Sequence, residues 1–191
     1  MQKTNTKTKP QMNAKVLAAA GVLIAMNIVL ARLLAIPIGS TLRITVSATP
    51  IFLSGLWFGP IVGGLCGGIS DLVGCILQGY APNPLILVTS VLNGVIPALM
   101  FRYVFKNKLN YGKVLLIVLI HGIIGSLGFT ALGLHLYYGT PWSVLYTTRL
   151  IQTVALIAAN SVLVNVLYES PLTDFVTRNF FAVPAAARKQ G

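Results

Sequence analysis

Residues 44–78 read ITVSATPIFLSGLWFGPIVGGLCGGISDLVGCILQ, an apolar run whose single charged residue is Asp71. A helix crosses a bilayer in about 20 residues, so this run is too long for one span. Trp57, Phe58, Gly59 and Pro60 in its middle have the make-up of a tight turn, which divides the run into a helical hairpin. The first arm, up to Leu56, is about 13 residues or roughly 20 Å long, short enough to need shelter from its neighbours. The second arm sets Gly63, Gly67, Asp71, Gly74 and Gln78 on one face at helical steps of three and four. Small residues let another helix or a flat ligand approach the backbone. A carboxylate at membrane depth is costly unless it faces a partner or a cavity.

Outward from the hairpin, four further segments satisfy the length rule for a span: residues 16–36, 85–101, 114–136 and 144–168. Of 191 residues, 55% are apolar and 9% charged, against about 25% charged in an ordinary soluble domain. The expected fold is therefore all-α, a polytopic integral membrane protein built as a bundle of six transmembrane helices over residues 14–170. A polar tail, 1–13, precedes it and a second tail, 171–191, follows. The first apolar run is longer than a signal-peptide core and leads into Arg32 without an A-x-A cleavage site, so it reads as a retained span.

Basic residues set the orientation. With six spans both termini share a side, and that side carries Lys3, Lys7, Lys9, Lys15, Arg102, Lys106, Lys108, Lys113, Arg178, Arg188 and Lys189. The positive-inside rule makes it cytoplasmic. Only Arg32 and Arg43 flank the outer loop after the first span. The formal net charge of +11 is thus a topology signal spread over short loops, and a nucleic-acid partner, which needs one basic soluble surface, is not expected.

The remaining polar groups at membrane depth mark a small-molecule site. The sixth span carries Arg149, Gln152, Thr153 and Asn160 along one face, with Arg149 about 10 Å below Trp142 by helical rise. The fourth carries Thr89, Ser90 and Asn93. By the same rise, Asn93, Gln152 and Asp71 reach similar depths in the outer half of the bilayer. Convergence there would put a carboxylate and amides in an apolar cup with a guanidinium above, the usual form of a ligand pocket. Arg149 is expected to meet a ligand carbonyl or carboxylate, Asp71 and Asn93 a heterocycle with adjacent N–H donors, and Gln152 a further hydrogen bond, with Trp142 and Tyr138 as aromatic cover. Packing is the competing reading for the glycines, and snorkelling to the headgroups is the competing reading for Arg149.

Catalytic constellations are missing. With three acids in total the chain holds no paired-carboxylate motif or zincin motif, and it contains no G-x-x-x-x-G-K-[ST] or G-x-S-x-G. Cys66 and Cys75, nine apart, fall on opposite faces of a helix. His121 and His135 are isolated and read as packing or interfacial residues. No enzyme activity, cofactor or metal is expected. On the first span, Ala14, Ala18, Ala19, Ala20, Gly21 and Ala25 form a small-residue surface suited to close helix contact, within the bundle or with a partner.

Arg43-Ile44, Pro50-Ile51, Gly55, Phe58-Gly59-Pro60, Gly63, Gly67, Ser70-Asp71-Leu72 and Gly74 resemble the hairpin of helices 2 and 3 in the S components of energy-coupling-factor (ECF) vitamin transporters, the folate-specific members above all. The resemblance extends over residues 14–170. It implies a plasma-membrane subunit that binds folate or a related vitamin from outside with high affinity. It also implies docking on a transmembrane coupling subunit, EcfT, driven by two ATPases. The A-x-x-x-A motif that family members present to that subunit matches Gly21 and Ala25, beside Ala18, with glycine in the first alanine's place. Gating loops would map to residues 32–45 and 78–84. An S component for riboflavin, thiamine or biotin is the nearest alternative; a self-sufficient channel or secondary transporter is the alternative from another class.

Overall fold

The computed structural model describes residues 14–33, 36–38, 42–79 and 81–180. Both tails, 1–13 and 181–191, and residues 34, 35, 39–41 and 80 of the expected gating loops lie outside the described residues. The described chain is helical apart from one small ribbon. Helix α1 covers Ala14–Leu33, α2 Ala48–Phe58, α3 Pro60–Gln78, α4 Pro84–Val104, α5 Tyr111–Tyr138, α6 Trp142–Glu169 and α7 Pro171–Phe180. Between α1 and α2, strands β1 (Ile36–Ile38) and β2 (Leu42–Ile44) pair antiparallel, with Pro37 opposite Arg43.

Five of these helices, α1, α3, α4, α5 and α6, are long and apolar enough to cross a membrane. The sixth expected span, α2, has 11 residues, or about 16 Å of rise. Its shortness is explained by its surroundings, for every residue from Thr49 to Phe58 is buried. A helix enclosed on all sides by protein does not have to match the thickness of the bilayer.

The expected turn shrinks to one residue. Trp57 and Phe58 stay helical, Gly59 turns the chain at φ 97°, and Pro60 opens α3, where its missing N–H has no helical partner to lose. A Cβ on Gly59 would also collide with the Arg102 guanidinium at the end of α4. That contact places the α2–α3 turn and the end of α4 at one end of the bundle, where chain reversal also puts Lys15, Lys106, Lys108 and Lys113.

Two spans depart from regular α-helix. Pro97 inside α4 is followed by a π-helical turn, Met100–Val104, and α5 contains a π-helical stretch, Gly122–Thr130. The latter holds Gly122, Gly125 and Gly128, which resist distortion little, and the Thr89 hydroxyl on α4 donates to the Gly125 carbonyl at 3.1 Å. A side chain inserted into the helical ladder is a recognised cause of such widening.

The core gathers Ile51, Phe52 and Leu56 of α2, Val62 and Cys66 of α3, Val114 and Ile117 of α5, and Val164 of α6. Several buried polar groups around it are paired: Thr49 donates to Asn160 Oδ1 at 2.9 Å, Thr130 to Thr89 at 3.0 Å, and Ser126 shares a hydrogen with Thr153 at 2.8 Å, whereas His121, edge-on to Phe52 at 5.4 Å, leaves Nε2 without a partner. Asn160 thus ties α6 to the first turn of α2.

Candidate functional site

The glycine stripe of α3 has two fates along its length. Toward Gly59, a Cβ on Gly63 would press on the Gly55 backbone, and one on Gly67 would overlap the Ser90 carbonyl. Here α2, α3 and α4 touch through their backbones. Toward Gly79 the helices part, and a cavity of about 220 Å³ opens between α1, the start of α2, α3 and α4.

Asp71, Ser70 and Gly74 of α3, Asn93 and Ser90 of α4, and Asn27 and Arg32 of α1 line this cavity. Asp71 Oδ2, Asn93 Oδ1 and Ser70 Oγ are buried and make no hydrogen bond within the protein. Each such group costs about 1–3 kcal/mol, and three of them face one small cavity. The opposite wall is cationic. Arg32 donates through Nη2 to the Gly74 carbonyl at 2.7 Å, tying the end of α1 to α3 one turn before that helix ends. Asn27 holds the entrance to α2 by donating to the Ser47 carbonyl. Among the described residues no ion pair joins Arg32 to Asp71, although both line the same space.

Of the six residues expected at the site, the structure brings Asp71 and Asn93 to this cavity and places the other four elsewhere. Arg149 and Gln152 are half-buried on α6. Trp142 stacks between His135 and Tyr146, with ring centroids at 4.4 and 5.5 Å, and Tyr138 is exposed beside them. The physical reason is azimuth. Helical rise fixes the depth of a residue but not the direction it faces, and α6 packs chiefly on α5, α2 and β2, while α3 packs on α4, α2 and α1.

A family profile for the S component of ECF-type riboflavin transporters matches residues 11–172. The chain belongs to the ECF S components. They are substrate-binding transport proteins and not enzymes. A curated relative, the folate transporter FolT of Clostridium novyi (strain NT), is 28% identical over 148 residues, 74% of this chain and 81% of that protein. A crystal structure of FolT bound with folic acid aligns with TM-score 0.67 at 30% identity, covering 80% of this chain and 91% of the other. The biotin S component of an ECF-type ABC transporter aligns with TM-score 0.59 at 20% identity over 95% of this chain and 96% of its own, a likeness of fold.

In this S component the helix α1 residues expected to dock a partner, Ala18, Gly21 and Ala25, are all exposed. A Cβ on Gly21 would meet nothing within 4 Å, because Val16, Ala20 and Leu23 form the buried side of the helix. Gly21 also borders an apolar groove of about 430 Å³ with Leu17, Leu65 and Ile69. Among the polar cavity residues, Asn27 was not singled out from the sequence, and Arg32 was named only beside the outer loop and at the edge of an expected gate. Arg32 carried a usable signal, as one of two basic residues beside the outer loop on a chain whose charges otherwise follow the inside bias.

Proposed function

We propose that this S component captures folate or a related pterin vitamin from the outer side of the plasma membrane and delivers it to a coupling subunit driven by two ATPases. The observation that carries the reading is the set of unpartnered acceptors, Asp71 Oδ2, Asn93 Oδ1 and Ser70 Oγ, on one wall of the cavity. A pterin ring presents a ring N–H and an exocyclic amino group side by side, and a carboxylate backed by an amide oxygen accepts from both. An isoalloxazine offers one ring N–H between two carbonyls, which leaves a carboxylate facing an acceptor. The acceptor set therefore favours a pterin over a flavin, in line with the folate named for two of the relatives.

At about 220 Å³ the cavity is smaller than the ~300–1,000 Å³ of most ligand sites, a volume for the ring and not for ring plus tail. The tail then leaves toward the outer end, where Arg32 offers a guanidinium to its carbonyl or carboxylate. The ribbon packs through β2 on α6, so the tail's continuation lies toward Arg149 and Gln152, with Trp142 and Tyr138 as cover. Residues 32–45 and 78–84 act as the gate. All six helices, α2 included, form the membrane domain 14–170, with both termini on the basic, cytoplasmic side. Ala18, Gly21 and Ala25 give the coupling subunit a flat surface for close helix contact.

The deciding experiment is identification of the small molecule released on denaturing the detergent-purified protein, followed by titration calorimetry with folate and riboflavin. Near-stoichiometric folate with nanomolar rebinding is the expected result. Riboflavin in its place overturns the pterin assignment in favour of the vitamin for which the matching family is named. Uptake into liposomes with no ATPase present would overturn the dependence on a coupling module.

A further inference from the structure

Helix α7, Pro171–Phe180, is separated from α6 by Ser170 alone. Ser170 has extended backbone, ψ 161°, and its hydroxyl donates to the Leu167 carbonyl at 2.6 Å and accepts from the Leu172 N–H at 3.3 Å. The chain therefore changes direction at the point where the long apolar span ends. At about 100° per residue, Thr173, Val176 and Phe180 share one side of α7, and that side is covered by protein. Thr173 Oγ1 accepts from the Trp57 indole at 3.1 Å, Phe180 meets Phe58 edge to face at 5.8 Å, and Val176 is buried. Leu172 and Phe175 continue the same arc but are 43% and 59% exposed, and Asn179, between them in azimuth, donates its amide back to the Phe175 carbonyl at 2.9 Å. Asp174, Thr177 and Arg178 complete the opposite arc. The bundle thus covers about half of the apolar arc of the helix.

Three observations say what covers the rest. Trp57 and Phe58 are the last residues of α2, so α7 sits at the end of the bundle that holds Gly59 and Arg102. Lys15, Lys106, Lys108 and Lys113 lie at that end, with Arg178 on α7 itself, and only Glu169 and Asp174 oppose them among the described residues. Tyr103 and Tyr111, at the same end, are 77% and 48% exposed, as tyrosines are where spans meet headgroups. We propose that α7 lies in the plane of the membrane interface, with Leu172 and Phe175 at the boundary of acyl chains and headgroups and the surrounding lysines and arginines on anionic lipid. An amphipathic helix with an uncovered apolar side beside a basic surface is what such a leaflet binds.

The test places nitroxide labels on the full chain at Leu172→Cys, Phe175→Cys, Asp174→Cys and Thr177→Cys, one at a time. The protein is held in nanodiscs of phosphatidylcholine with and without phosphatidylglycerol. Identically labelled wild-type protein supplies the background from Cys66 and Cys75. The expected result is that labels at 172 and 175 collide with oxygen more than with a water-soluble nickel chelate, and that labels at 174 and 177 do the reverse. Phosphatidylglycerol should deepen the first pair. Equal access of the chelate to 175 and 177 would make α7 an aqueous helix. Shielding of 172 and 175 from both reagents would mean that protein, such as a second copy, covers them. Either result overturns the proposal, and depth insensitive to phosphatidylglycerol overturns its anionic part.

Discussion

Both halves of α3 carry glycine on one face at helical steps of three and four, yet one half is closed and the other open. Gly63 and Gly67 bring α3 against the backbones of α2 and α4, while Gly74, one helical turn past Asp71, has nothing within 4 Å of where a Cβ would stand. A glycine stripe is therefore two devices in sequence, a seam that fixes the hairpin and a wall that lines the cavity. The rigid seam holds Asp71 and Asn93 in register without a loop to order, which is the preorganisation that binding rewards.

The sharpest way to break this contrast is to add one methyl group to each half. Gly67→Ala should lose stability by about 3 kcal/mol, the upper part of the overpacking range, because the obstacle is a backbone carbonyl that has no rotamer to change. Gly74→Ala should raise stability by roughly 0.5 kcal/mol through lower backbone entropy in the unfolded chain, while reducing the room for ligand. Thermal unfolding in detergent reads both. Equal midpoints for the two variants would contradict the division.

Next in size is Asp71→Asn, which keeps the shape and replaces an acceptor oxygen with a donor. Pterin affinity should fall about 30-fold, near 2 kcal/mol, with the thermal midpoint little changed or higher, since a half-buried carboxylate with one unpartnered oxygen has been neutralised. Calorimetry together with the melt separates binding from fold. Undiminished affinity would remove Asp71 from the site. Arg32→Ala should follow with a loss of about tenfold, 1.4 kcal/mol. Arg32→Lys should recover little of it, because an ammonium cannot reproduce the planar fork that serves both the Gly74 carbonyl and a ligand oxygen.

The part of the molecule legible in advance was the part governed by one-dimensional rules. Hydropathy and length placed the long spans, and Gly59-Pro60 punctuated the hairpin within two residues of the observed turn. Asp71 and Asn93, which line one cavity, stood out because a charge or amide at membrane depth is rare enough to be informative. What escaped depended on directions around helix axes. Gln152 shares a depth with Asp71 but belongs to a helix that packs elsewhere. The π-helical stretch in α5 arises where a glycine-rich segment meets Thr89 from another span. The ribbon escaped because strands of three residues carry too little alternation to be seen. The amphipathic helix at Pro171–Phe180 lay within an expected tail because its apolar arc is spread over only ten residues.

The smallest expected effect tests how far the site extends beyond the cavity. Arg149 lies on α6, outside the residues that line the Asp71 cavity, and its link to the site runs through β2. Its contribution should therefore depend on the length of the ligand. Arg149→Ala should weaken folate by about threefold, near 0.7 kcal/mol, and leave a tail-less pterin unaffected, whereas Asp71→Asn should weaken both equally. A comparable loss for the two ligands on replacing Arg149 would mean that α6 reaches the ring itself. The binding site would then form only on closure of the ribbon, and the open half of α3 would be one wall of a larger chamber.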